Sequence, residues 1–243
     1  TPFAKDVNPL KLHPNVVFVA KIPERRKHVI GFREAFASTK LFDASIQALE
    51  KLREMVILLQ NVRKGGIIAI NLDEGDSLIG SAIVREGEHV MLVTRNGMAI
   101  RFDASDTRDT GRNTRGVKGI NLVGDDEVVG MVVVDPAGAL LTVCANGFGK
   151  RTSSYEYRVT GRGGSGIVAM GMGKKNTAII AAFPVEESDD LMLITNLGQT
   201  IRVGIGGVSI QGRSAQGVVL FRLDEGERVV SVERIEETGG GGE

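Results

Sequence analysis

The chain has 243 residues, with 30 basic and 30 acidic side chains, 32 glycines, one cysteine and no tryptophan. A formal charge of zero excludes a uniformly basic nucleic-acid binder, so affinity for a polyanion requires segregated charge. One cysteine excludes a disulfide framework or thiolate metal site, low aromatic content argues against a base-stacking platform, and no apolar stretch reaches the ~18 residues of a membrane span.

The sequence does not open on a basic region followed by an apolar core, so a soluble cytoplasmic protein is expected. Dense glycine without a collagen-like triplet predicts many tight turns and an all-β fold. Residues 1–56 follow no repeat. Apolar, β-branched runs at 15–22 and 27–32 flank Pro23-Glu24-Arg25-Arg26 and predict a hairpin. Phe32, Phe36, Phe42, Ile46, Leu49 and Val56, with Thr39 in the same register, lie three, four or seven residues apart, which predicts an amphipathic helix over about 33–56.

From about Val62 a repeat governs the chain. Asn96-Gly97, Asn146-Gly147 and Leu197-Gly198 each follow an apolar run, and their glycines lie 50 and 51 residues apart. Gly111-Arg112, Gly161-Arg162 and Gly212-Arg213 keep the same intervals. A period of this size predicts an array or propeller. One unit reads as four strands: 89–95, 98–103, 116–122 and 128–134. Asn-Gly between the first two predicts a two-residue hairpin. Nearly continuous apolar runs predict strands buried on both faces, as when sheets stack on sheets. The expected organisation is an N-terminal segment 1–56, a partial blade 57–86, blades at about 87–136, 137–186 and 187–237, and a flexible glycine tail 238–243.

Basic residues hold fixed places in the unit. Arg101, Arg151 and Arg202 follow the turn glycine by four residues, and Arg112, Arg162 and Arg213 follow the connection glycine. Arg63, Lys64, Arg115, Lys118, Lys150 and Arg158 fall in similar regions. The acids recur elsewhere, in 73–76, 125–127, 186–190 and 224–227. Stacked units are expected to put arginines on one rim and acids on another. Cations spaced blade by blade suit a polyanion, because each phosphate neutralised releases counterions. Solvated arginines, or blade-to-blade salt bridges, are the alternative reading of the same pattern. Cys144 reads as a core residue and Tyr155 and Tyr157 as structural; no acid–base pair, metal cluster or triad is evident.

The stretches Asn61–Ile70, Thr94–Gly97, Gly111–Val117, Glu156–Gly164 and Leu193–Asn196 resemble the C-terminal DNA-wrapping domain of DNA gyrase A, over about 60–236. The family's seven-residue basic box survives at Thr160–Gly166 only as Arg162-Gly163-Gly164 and Gly166. The resemblance implies an all-β β-pinwheel, with strands exchanged between blades, that bends double-stranded DNA around a basic rim. It implies as partners the remainder of gyrase A and the ATPase subunit of gyrase, in the bacterial cytoplasm at the nucleoid. No cofactor is expected, and this chain alone is expected to cleave neither DNA nor ATP. The related topoisomerase IV domain, a protein-interaction propeller, and an enzyme using Cys144 or the tyrosines are the other readings.

Overall fold

The computed structural model describes residues 16–21, 77–85, 87–107, 116–173 and 176–236. The helix expected at 33–56, the second arm of the N-terminal hairpin and the glycine tail lie outside them. Strand β1 (Val16–Lys21) pairs antiparallel with β2 (Ser77–Ile83), from Val16↔Ile83 to Lys21↔Ser77. The N-terminal segment thus shares a sheet with the first repeat unit.

Each later unit contributes three antiparallel strands. In the first complete unit β3 (His89–Thr94) lies between β4 (Met98–Asp103) and β5 (Val128–Val134). In the second, β6 (Ala139–Cys144) lies between β7 (Phe148–Ser153) and β9 (Ile179–Val185). In the third, β10 (Asp190–Thr195) lies between β11 (Thr200–Gly204) and β13 (Val229–Ile235).

The expected third strands behave differently. Residues 116–122 form no strand. Two-residue strands β8 (Ile167–Val168) and β12 (Val218–Val219) leave their own units and join the sheet before them. β8 pairs with β4 through Met98↔Val168, and β12 pairs with β7 through Val219↔Phe148. The hairpin tips hold these visitors. The Gly97 carbonyl accepts from Ala169 N at 2.8 Å and Met170 N at 3.3 Å; the Gly147 carbonyl accepts from Leu220 N at 2.9 Å and Phe221 N at 3.3 Å.

The hairpins are not the two-residue turns expected. Gly97 N donates to Thr94 O at 3.1 Å, so three residues, 95–97, connect the strands. Glycine closes the turn at φ +88°, with φ +79° and +84° at Gly147 and Gly198. That is the three-residue loop ending in a left-handed bulge residue.

The apolar runs make the core between sheets. β3 is buried along its length apart from His89, and so is β6 apart from Ala139. β5 instead alternates buried and half-buried positions. Met91, Val93, Leu140, Cys144 and Ile179 meet between the first and second complete sheets. Leu141, Val143, Leu191, Leu193 and Val229 meet between the second and third. Val90, Leu92, Ile100 and Phe102 pack on the face toward β2. The fourth strands of successive units touch, and a Cβ on Gly130 of β5 would lie 2.7 Å from Ala182 O of β9.

Candidate nucleic-acid interface

Each unit leaves its second strand through a single 3-10 turn and then enters the basic loop. The turns span Ala104–Asp106, Ser154–Glu156 and Ile205–Gly207. Asp103 caps the first by accepting from Ser105 N at 2.8 Å. Such a cap satisfies a backbone donor that the turn itself cannot.

The first two of the recurring arginines on the second strands, Arg101 and Arg151, point into the seams between units. Arg101 is 7% exposed and Arg151 8%. Arg101 Nη1 donates to Ser154 O at 2.9 Å and Tyr157 O at 3.2 Å, the carbonyls around the next unit's 3-10 turn. His89 Nδ1 accepts from Arg101 Nη2 at 3.0 Å, which leaves the imidazole proton on Nε2 because arginine only donates. Burial lowers the Arg101 pKa. Arg151 Nε donates at 2.6 Å to Val208 O, 51 residues beyond Tyr157 and in the same place. Arg202 is exposed and forms an ion pair with Asp190.

The expectation that Arg101, Lys150 and Arg151 face a phosphate track is therefore not matched by their positions. Lys150 is fully buried, and its Nζ donates to Gly212 O and Arg213 O at 2.6 Å each. Burial pushes its pKa down to about 8, against the raising influence of Glu156.

The loop arginines sit nearer the surface and point backward. Arg162 Nη1 donates to Lys118 O at 3.2 Å and Nε to Asp106 O at 2.8 Å. Arg213 Nη1 donates to Val168 O at 3.1 Å, and Val168 is the repeat equivalent of Lys118. Each guanidinium carries five donors, so these contacts leave others for a ligand. Lys118 is exposed and bonds Asn121 Oδ1 through Nζ; Arg158 is exposed and has no ion-pair partner among the described residues. Arg158 lines a shallow cavity of about 190 Å³ with Arg101, Thr160, Gly161 and Ser165. Arg63, Lys64, Arg112 and Arg115 lie outside the described residues.

The expected separation of charge is half realised. Asp126 accepts from Asn96 N at 2.8 Å and Glu227 from Thr195 Oγ1 at 2.6 Å, at the hairpin ends. Asp189, however, pairs with Arg234 at 2.6 Å beside the third 3-10 turn. The sequence pattern did not single out Glu156, whose carboxylate reaches the next unit's loop; its only signal is that it aligns with Asp106 in the 3-10 turn. The Cys144 thiol is buried against Met170, and burial raises its pKa to about 12. Tyr157 is buried and raised to about 12 by the same cause. Both are protonated at neutral pH and lie in the core. Among the described residues no group of three metal-ligating side chains occurs, and no helix is long and apolar enough to cross a membrane.

An array in which β8 and β12 join the sheet before their own, with a basic loop at each of the two described seams, is a β-pinwheel of the propeller class. The family model described as DNA gyrase C-terminal domain, beta-propeller, matches residues 59–85, 88–135, 139–186 and 189–236, one block for each unit. The chain belongs to the DNA gyrase C-terminal domain family.

Its similar sequences include DNA gyrase A of Halalkalibacterium halodurans, 56% identical over 176 residues, or 72% of this chain and 21% of that protein. The gyrase A protein of Clostridium acetobutylicum is 40% identical over 229 residues, or 94% and 26%. That of Pseudomonas aeruginosa is 40% identical over 179 residues, or 74% and 19%. The chain thus spans about a fifth to a quarter of these relatives. The solved DNA gyrase A C-terminal domain superposes with a TM-score of 0.68 at 25% identity, over 96% of this chain and 68% of that one. The C-terminal domain of DNA topoisomerase IV shares the fold, with a TM-score of 0.72 at 21% identity over 95% and 64%.

Proposed function

We propose that the chain is a non-catalytic module that binds and wraps duplex DNA within a type IIA topoisomerase of the gyrase kind. One observation carries this reading. The loop arginines of successive units occupy the same place, Arg162 on Lys118 O and Arg213 on Val168 O. Cations held in a repeating register neutralise successive phosphates, and the released counterions drive binding without base readout. Arg158 and Lys118 extend the row at the surface, Arg112 belongs to it by repeat position, and Arg115, Arg63 and Lys64 fall in similar regions of the unit without strict repetition. A curved row favours bent duplex, so sequence acts through deformability. Arg101, Lys150 and Arg151 serve it indirectly, by locking the seams.

The partners in this reading are double-stranded DNA, the remainder of gyrase A and the ATPase subunit of gyrase, in the bacterial cytoplasm at the nucleoid. Wrapping would give strand passage its direction and yield negative supercoils. The gyrase names of the sequence relatives favour this over the topoisomerase IV role of substrate selection.

The test is duplex binding together with a topology readout. Replacing Arg112, Arg162 and Arg213 by glutamine should weaken binding to unrelated duplexes and flatten its salt dependence. In the assembled enzyme the same change should reduce negative supercoiling and leave relaxation intact. Unchanged affinity, salt slope and supercoiling would overturn the reading.

A further inference from the structure

The two described seams carry the same loop but differ in one carboxylate. At the second seam Glu156, at the end of its 3-10 turn, faces the Gly212–Arg213 loop of the next unit. Glu156 Oε2 accepts from Arg213 N at 3.2 Å and lies 4.0 Å from Arg213 Nε. A Cβ on Gly212 would come within 3.8 Å of the same oxygen, so the loop backbone is open toward it. Lys150 stands beneath, bonded to the two carbonyls of that loop. A backbone amide and a guanidinium facing one oxyanion, on a loop that the Lys150 ammonium holds from beneath through its carbonyls, form a donor set of the kind that binds phosphate.

At the first seam the equivalent residue is Asp106, and there Arg162 takes the backbone carbonyl instead. In the third unit the position is Gly207. The site at the second seam is also reachable. The Glu156 side chain is 42% exposed and that of Arg213 33%.

We infer that Glu156 occupies an anion position on the Gly212–Arg213 loop that a DNA phosphate takes when duplex binds. The inference rests on the DNA-wrapping reading and adds a regulated step to it. With Glu156 in place its carboxylate bonds the Arg213 amide and stands 4.0 Å from the Arg213 guanidinium, where it offsets the charge of the loop. DNA engages that seam only by displacing the carboxylate into solvent, so wrapping proceeds past the first seam at an electrostatic cost set by this residue. The phosphodiester backbone is the ligand class, because the donor set reads charge and oxygen geometry, with no group positioned for a base edge.

The test compares the chain with its Glu156→Gln, Glu156→Ser and Asp106→Asn variants, using random-sequence duplex over a salt series. Each variant removes one negative charge near the same rim, so general electrostatics predicts equal gains. The inference predicts that both Glu156 variants bind roughly threefold or more tighter than Asp106→Asn. Their salt slope should steepen by about 0.9, the signature of one added phosphate contact. In an Arg213→Gln background the Glu156→Gln gain should disappear, which a double-mutant cycle reads directly. Equal gains from Glu156 and Asp106 variants, with normal wild-type binding, would overturn the inference and leave the wrapping reading intact. Absence of salt-dependent binding in every protein would overturn both.

Discussion

Lys150 shows how a single residue at a seam can be read by pH. Its ammonium is buried, bonded to Gly212 O and Arg213 O, and its pKa has fallen from 10.5 to about 8. Between those two values the unfolded chain keeps the proton and the folded chain has released it. Stability therefore increases as pH rises from about 8 toward 10.5, because the unfolded state binds more protons. Thermal unfolding of wild type and Lys150→Met from pH 7 to pH ~10 isolates this contribution. The difference, wild type minus variant, should move in favour of wild type with rising pH; a flat difference would show that Lys150 does not titrate there. Lys150 also shows what the sequence leaves hidden. Its neighbour Arg151 recurs with Arg101 and Arg202 at a fixed interval, and so do Arg162 and Arg213. A clamp across a seam and a ligand for phosphate repeat with the same period, since both follow the blade. Spacing alone cannot separate them. Burial and the carbonyls of Ser154, Tyr157 and Val208 do.

At the scale of the element, the strands that stay in their own unit were legible and the exchanged ones were not. β4 and β5 occupy the expected 98–103 and 128–134 because apolar runs bounded by glycine turns encode them locally. β8 and β12 are two residues long and pair with a sheet some 70 residues earlier in the chain, so no local pattern announces their partner. What secures them is the hairpin tip. Gly147 has φ +79°, and a Cβ there would collide with Phe221 O of the arriving segment. Gly198 has φ +84° and nothing within 4 Å of such a Cβ. Alanine at either position should cost about 1–2 kcal/mol for the left-handed backbone. At Gly147 overpacking against the exchanged segment should add roughly 1–3 kcal/mol. Chemical denaturation of Gly147→Ala and Gly198→Ala measures the contrast. Equal destabilisation would mean that the tip does not grip the exchanged strand.

For the whole molecule, the seams and the proposed DNA-facing row both draw on recurring basic residues, yet they should separate by mutation. At the two described seams successive units are tied in both directions: Arg101 and Arg151 reach forward to the 3-10 turn carbonyls, and Arg162 and Arg213 reach back to the Lys118 and Val168 carbonyls. Contacts between nearest neighbours then set the spacing of the loops, as in other repeat arrays. On the proposed DNA-wrapping reading, this is how a chain of zero net charge would present a cationic track. Arg101 and Arg151 are consumed inside the array, whereas Arg158 and Arg162 stay exposed. Replacing Arg101 and Arg151 by glutamine leaves buried carbonyls without donors, a loss of about 1–3 kcal/mol at each seam. That pair should lower the melting temperature and broaden the transition as the units uncouple. Replacing exposed Lys118 and Arg158 by glutamine should leave melting unchanged within about 0.5 kcal/mol. It should weaken binding to unrelated duplexes and reduce the salt slope by about 0.9 for each phosphate no longer neutralised. Were the Lys118 and Arg158 pair to shift melting and spare binding, the division of labour between seam and surface would be reversed, and the phosphate track would have to lie elsewhere on the array.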